Sequence, residues 1–328
     1  MGIKNLNSFI TKYAKDGITD INISTLSGKA IAIDTSIFMY KFMYSHKFID
    51  SFIQQIYHFR TFKITPIYIF DGQPPQEKQD ILDERKEVKN KNETKINDLE
   101  LKIEQCEDIE MKKKLKKDLV FLKRKCINIT KEDIKNLKNV FDILGVNYIQ
   151  PNCEADLICC ELFKNNKVYA CMSNDMDFLA SGAGLLLRNY NLSNNLQKYN
   201  LNIILQKLNF TYDKFVDFCI LCGCDYTCKI PRMGSERAFE AIKNYNDIEN
   251  IIENLGNKYK VPNNFEYKKA RQLLKNMDSN LADSVLENFE IKNHIKFGDL
   301  TSEGIDYIHG LTKYSRDLLV NKIMIITT

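Results

Sequence analysis

Three short runs decide the fold: Lys29-Ala-Ile-Ala-Ile-Asp34, Pro66-Ile-Tyr-Ile-Phe-Asp71 and Val168-Tyr-Ala-Cys-Met-Ser-Asn-Asp175. Each is a nearly continuous apolar stretch, and segments of helical period separate them. Runs of that kind predict strands of a parallel sheet buried on both faces. Each run also ends in a carboxylate. Ligands of such sheets bind beyond the carboxyl ends of the strands, so Asp34, Asp71 and Asp175 are expected to converge on one site. Taken singly, each Asp is an ordinary helix cap or turn residue. Three together favour a common site, the more so with Asp177 two residues past Asp175 and with Glu154 and Asp156 ahead of an apolar helical stretch. Crowded carboxylates repel one another unless a cation holds them, and oxygen-only ligation points to magnesium or manganese rather than zinc.

Composition bounds what such a site can serve. With 328 residues, 44% of them hydrophobic, the chain can bury a substantial core. It has no run of eighteen apolar residues and no signal pattern over Met1 to Ile10, so a soluble intracellular protein with no membrane partner is expected. Leu6 stands where N-myristoylation at Gly2 wants Ser or Thr. Ten cysteines without a secretory signal are expected to be reduced thiols. Cys219, Cys222, Cys224 and Cys228 are dense enough to suggest zinc or an iron–sulfur cluster. The first two, however, fall in an apolar helix where Cys serves as a small hydrophobe, and no metal is expected there.

The net charge of +4, from 47 basic and 43 acidic residues, does not by itself announce a nucleic-acid partner. Its distribution says more. Between Met111 and Lys125 stand Lys112, Lys113, Lys114, Lys116, Lys117, Lys123, Arg124 and Lys125 against one acid, Asp118; this is either a solvated helix face or a phosphate-facing one. That run lies in a polar insertion from about Gln76 to Glu132. The spacing of Ile96, Leu99 and Ile103, with no Pro or Gly in the segment, predicts helices projecting from the sheet. After Asn200 only helices are expected, including Tyr212 to Cys222 and, past a turn, Ser235 to Tyr245.

Met1-Gly-Ile-Lys-Asn-Leu, Ala32-Ile-Asp34-Thr-Ser-Ile, Ile69-Phe-Asp71-Gly-Gln-Pro-Pro75, Cys153-Glu-Ala-Asp156, Ser173-Asn-Asp-Met-Asp177 and Leu221-Cys-Gly-Cys-Asp225-Tyr occur in this order. Together they resemble the successive blocks of the flap endonucleases, the xeroderma-pigmentosum-G type of structure-specific 5′ nuclease, over residues 1 to about 245. The resemblance implies an α/β fold: a central, mostly parallel sheet flanked by helices in a PIN-like nuclease core, with a helical arch and a helix-two-turn-helix. It implies a metal-dependent endonuclease hydrolysing DNA at single-strand/double-strand junctions in replication and repair. Asp34, Asp71, Glu154, Asp156, Asp175, Asp177 and Asp225 would hold two Mg2+ ions, with Mn2+ as a possible substitute. Lys78 and Arg85 match the basic pair at the base of the arch. Seven residues apart, they would share one helical face and act, with Asp177, at the scissile phosphate. Tyr40 matches an aromatic on which a base stacks, with a core tyrosine as the rival reading. Gly2, Lys47, Arg232, Gly234 and Arg237 fall at positions that would lie near DNA.

The expected organisation is an N-terminal nuclease region (1–75), the arch (76–132), an internal nuclease region (133–250) with the helix-two-turn-helix at 212–245, and a C-terminal helical region (251–328). The expected partner is branched or flapped DNA, met as a monomer. The chain also departs from the family pattern. Asp156 replaces a Glu, the segment after Lys47 is short, and Arg232-Met-Gly234 replaces Gly-Ile-Gly. Glu236 stands where a basic residue is common. The turn changes leave open whether the monovalent cation implied there binds. The tail from Leu311 to Thr328 has no Gln-x-x-aliphatic-x-x-aromatic-aromatic motif, so no sliding-clamp recruitment by that route is expected. The alternatives are a 5′–3′ exonuclease of the same family and an inactive DNA-binding scaffold, against which stand the seven carboxylates.

Overall fold

A computed structural model of the chain describes residues 2–45, 47–192, 194–254, 259–275, 289–291 and 297–327. Among the described residues seven strands form one sheet: β1 (Ile18–Asn22), β2 (Ala30–Asp34), β3 (Thr65–Ile69), β4 (Asn147–Ile149), β5 (Ala170–Met172), β6 (Leu185–Arg188) and β7 (Asn195–Asn200). Their order across the sheet is β1-β7-β6-β5-β2-β3-β4. From β6 to β4 every pairing is parallel, and β7 runs antiparallel to both of its neighbours. The three runs read from sequence are β2, β3 and β5, at the centre of the parallel part. The outer strands carry weaker signals: β4 has three residues, and β1 is nowhere fully buried.

Alternation along the strands explains why the runs are apolar throughout. Ala32, Ile67, Ile69, Cys171 and Leu186 face one core, and Ile31, Ile33, Tyr68, Phe70, Met172 and Leu187 face the other. Each residue along a strand points to the opposite face from its neighbour, and helices cover both faces, so no polar position is left. The first core takes in the helices Leu6–Tyr13, Ala155–Lys164 and Tyr212–Cys222; the second takes in Phe48–Thr61 and Lys131–Ile143.

The insertion forms two helices, Gln79–Gln105 and Ile109–Lys125, packed against each other. The first buries only Asn92 and the second buries nothing, so the pair stands out from the body. Beyond Asn200 the described chain is helical, and Tyr212–Cys222 and Ser235–Tyr245 have the bounds read from sequence. No helix among the described residues is long and apolar enough to cross a membrane.

Candidate active site

The sheet delivers the acids to one edge. Asp34 is the last residue of β2, Asp71 lies two residues past β3, and Asp175 lies three past β5. Glu154 precedes the helix Ala155–Lys164, Asp156 is in its first turn, and Asp225 follows the helix Tyr212–Cys222. Their charges act on one another: Asp71 and Asp175 on Asp34, Glu154 and Asp71 on Asp156, and Asp175, Asp225 and Asp156 on Asp177. All seven sequence-assigned carboxylates thus belong to one electrostatic cluster.

For Asp34, Asp156 and Asp177 burial is the first cause of a shifted pKa and repulsion by neighbouring acids the second. Together they push the Asp34 carboxyl up to about 7 and that of Asp156 up to about 8, and raise Asp177 well above the ordinary carboxylate range. Hydrogen bonds partly offset this. The Ser173 hydroxyl donates to Asp34 Oδ2 at 2.9 Å, and the Ser36 N–H donates to Asp34 Oδ1 at 3.1 Å, which makes Asp34 a helix cap as well as a site residue. The Ser36 hydroxyl donates to Asp71, whose other oxygen accepts from the Ala155 N–H at 3.1 Å. Tyr226 donates to Glu154 Oε2 at 2.9 Å.

Two cations reach the cluster from the base of the arch. Lys78 pairs with Glu154, and Arg85 with Asp225. Burial opposes the charge of Lys78, but Glu154, Asp156 and Asp225 outweigh it and hold its pKa above the ordinary lysine value. Lys78 ends a 3-10 turn, and Arg85 stands in the helix Gln79–Gln105 that follows it.

The N-terminus closes the site. Gly2 has φ +76°, and a Cβ there would lie 1.9 Å from Asp175 Oδ1 and 2.5 Å from Asp177 Oδ1. Only glycine fits. The next N–H, of Ile3, donates to Asp177 Oδ1 at 2.6 Å. The structure does not gather the remaining assigned residues into this cluster. Tyr40 is 51% exposed, which removes the core reading of it, and Lys47, Arg232 and Arg237 are also at the surface. Arg232 takes φ +67°, a left-handed conformation that costs a side-chain-bearing residue about 1–2 kcal/mol, and its carbonyl accepts from Arg237 Nη1 at 2.7 Å. Gly234, by contrast, has φ −101° and open space around it. Glu236 accepts from Lys12 Nζ at 2.8 Å and from the Tyr13 hydroxyl, tying the second helix of this motif to the N-terminal helix.

Ser36, Ser173 and Tyr226 were not singled out by sequence reasoning. Each lies inside a quoted block, one or two residues from an acid, and that proximity was the only available signal. Of the clustered cysteines, Cys219, Cys222 and Cys224 are buried and Cys228 is half-buried with its thiol against Asn264 Oδ1; all ten cysteines are free thiols.

Among the described residues no three His, Cys, Asp or Glu side chains already form a ready-made ligand shell. The acids are instead held by Lys78, Arg85, the two serines and main-chain N–H groups. The donor set nevertheless suits a hard divalent cation: it is all carboxylate and partly buried, and burial with neighbouring acids raises Asp34, Asp156 and Asp177.

Residues 1–92 match the XPG N-terminal domain and residues 145–225 the XPG I-region. Flap endonuclease 1 of Entamoeba histolytica is 36% identical over 308 residues, covering 88% of this chain and 79% of that protein. Among solved structures, flap endonuclease-1 from Methanococcus jannaschii aligns with a TM-score of 0.64 and 20% identity over 94% of this chain and 95% of that one. The catalytic core of Rad2 in complex with DNA substrate aligns with a TM-score of 0.63 and 20% identity over 100% and 99%. These likenesses bear out the mostly parallel α/β nuclease core. From its sequence blocks, the two family domains, a relative 36% identical over 88% of this chain and a shared fold, the chain belongs to the flap endonucleases of the XPG family, which are metal-dependent nucleases.

Proposed function

We propose that this chain is a structure-specific endonuclease that cuts flapped or branched DNA in replication and repair, hydrolysing a phosphodiester bond with two Mg2+ ions held among Asp34, Asp71, Glu154, Asp156, Asp175, Asp177 and Asp225. One observation carries the reading: two cationic side chains from the arch, Lys78 and Arg85, cross to acids on separate elements of the nuclease body. Groups able to bind a phosphate thereby stand against groups able to bind metal.

Bound metal supplies water activation and neutralises charge developing on the phosphate. The chain's own residues do the rest. Ser36 and Ser173 orient Asp71 and Asp34, while the N-terminal backbone orients Asp177. Lys78 and Arg85, which pair with Glu154 and Asp225 at the edge of the cluster, would donate charge-assisted hydrogen bonds to the scissile phosphate. Exposed Tyr40 offers a stacking face that tolerates any base. Arg232 and Arg237, with the N-terminus of the helix Ser235–Tyr245, offer contacts to duplex phosphates.

Metal ligands and phosphate binders separate under mutation. Asp177→Ala is expected to leave less than about 1% of single-turnover flap cleavage, on the scale of losing a metal ligand, while salt-dependent duplex binding survives. Arg85→Ala is expected to slow the single-turnover step roughly 10²-fold with little change in flap affinity. Cleavage by Arg85→Ala at the unmutated rate would remove the arch base from the active site. Retained cleavage by Asp177→Ala would remove the metal assignment.

A further inference from the structure

Asp175 lies on the short loop after β5 and Asp177 opens the helix Asp177–Ala180 that follows; the residues just before Asp175 are held from outside the carboxylate cluster as well as from within it. The Ser173 N–H donates to the Leu187 carbonyl at 3.2 Å, and the Asn189 N–H donates to Asn174 Oδ1 at 2.9 Å. Arg188 Nη2 donates to the Asn174 carbonyl at 2.9 Å. The end of β6 thus grips both residues that precede Asp175.

The other arm of the same guanidinium turns to the N-terminal helix. Arg188 Nη1 donates to Asn7 Oδ1 at 2.8 Å and to the Tyr199 hydroxyl oxygen at 3.2 Å, and that hydroxyl donates to the same Asn7 oxygen at 2.7 Å. Asn7 lies in the first turn of the helix Leu6–Tyr13, just after the segment in which Ile3 holds Asp177 and Lys4 N–H donates to the Gly223 carbonyl at 3.2 Å. A single half-buried Arg188 therefore joins the two pieces of chain that set the positions of Asp175 and Asp177.

Its partners distinguish it from the arch cations. Lys78 and Arg85 bond carboxylates directly and stand in a metal's place, whereas the hydrogen-bond partners of Arg188 are a carbonyl, an amide and a phenol oxygen. A cation bonded to neutral oxygens fixes geometry without competing for the acids. We propose that Arg188, with Asn7 and Tyr199, is a positioning residue that presets Asp175 and Asp177 for divalent metal; this rests on the metal-site reading above. Groups that orient ligands without touching the metal commonly govern affinity by about 10- to 100-fold.

The test reads metal binding directly, by calorimetric titration of the full chain with Mn2+, beside single-turnover flap cleavage. Arg188→Met is expected to weaken Mn2+ binding about tenfold or more, to slow cleavage at limiting metal with partial recovery at excess metal, and to leave flap affinity without divalent cation unchanged. Arg188→Lys keeps the charge but cannot fork to both partners, and should lose metal affinity likewise. Tyr199→Phe removes one hydrogen bond and should shift affinity less, in the same direction. Because the partners form one network, Arg188→Met with Asn7→Ala should be less than additive. Should Arg188→Met not fold, Arg188→Lys and Tyr199→Phe decide the matter. Unchanged Mn2+ affinity in a folded Arg188 variant overturns the proposal, and lost flap affinity with full metal affinity makes Arg188 a DNA contact instead. Failure of the underlying reading looks different: Asp177→Ala would then bind metal and cut normally.

Discussion

Single atoms govern the N-terminus, where Gly2 meets the carboxylates of Asp175 and Asp177 closely enough that a methyl group cannot be placed. Its φ of +76° adds backbone strain for any other residue. Gly2→Ala is expected to displace the two acids rather than unfold the chain, because Gly2 itself belongs to neither core and its neighbour Ile3 keeps its buried place. Single-turnover cleavage should fall about 10²-fold, as a displacement of about 1 Å at a reacting centre typically costs, while the melting temperature moves little. A parallel fall in rate and melting temperature would show that Gly2 is merely structural. Arg232 is the opposite case. It carries positive φ, and Arg237 donates to its carbonyl, so the turn holds with an added charge and a conformational cost. Its conformation could not be inferred from residue type, since Arg rarely adopts it.

At the scale of elements, the arch differs from everything around it. The helix Ile109–Lys125 buries no residue and Gln79–Gln105 buries only Asn92. Polar contacts hold the arch: Lys123 with Glu100 between its two helices, Lys89 with Asn128, the Arg124 guanidinium 3.9 Å from the Tyr44 ring centre, and Arg85 with Asp225 at its base. Exposed ion pairs contribute about 0–1 kcal/mol each, and helices gain most of their stability from packing an apolar face. The arch amides are therefore expected to exchange hydrogen far faster than those of β2, β3 and β5, and to slow when flap DNA is bound. Exchange mass spectrometry checks this, and arch protection equal to that of the sheet in free protein would contradict it. Sequence spacing was enough to call these helices, because helical period and the absence of Pro and Gly are local properties. The pairing of Lys78 with Glu154 and of Arg85 with Asp225 spans 76 and 140 residues and leaves no local trace.

Over the whole molecule, the C-terminal region does not stand apart. Ala270 and Leu274 join the core on one side of the sheet, while Ile308, Leu319, Ile323 and Ile326 join the other. The helix Arg316–Ile326 packs on Phe48–Thr61. Arg271 bridges Asp217 and Glu249, bonding the C-terminal helix Tyr267–Lys275 to the helix Tyr212–Cys222. The acid cluster also has a global consequence. In the metal-free chain the pKa of Asp34 is about 7 and that of Asp156 about 8, both above the unfolded value of 3.8. Raised carboxyl pKa values mean that the folded state binds more protons than the unfolded one. Stability is then greatest below the unfolded pKa and falls as pH rises through the folded values. The metal-free melting temperature is expected to fall from pH 5 to pH 8. Added Mg2+ should raise it more at pH 8 than at pH 6, because binding must displace those protons. A Mg2+-induced rise equal at both pH values, measured by scanning calorimetry, would count against the cluster as the metal site.

The sequence by itself determined the central strands with the acids at their ends, the helical insertion and the paired helices around the turn after Asp225; the full set of seven acids came from the family resemblance. Those strands and helices depend on the order of residues over a short span: apolar runs for doubly buried strands, helical period for the arch, an acid where a strand ends. Only the tertiary structure decided what holds those acids. Ser36 reaches Asp71, Ser173 reaches Asp34, the Ile3 N–H reaches Asp177, and Arg188 reaches both Asn7 and Asn174. The short outer strands, the exposed face of Tyr40 and the left-handed turn at Arg232 were settled there too. The physical reason is range. A hydrogen bond between Ile3 and Asp177 joins residues 174 apart, and nothing in the chemistry of either residue names the other until the sheet has brought them together.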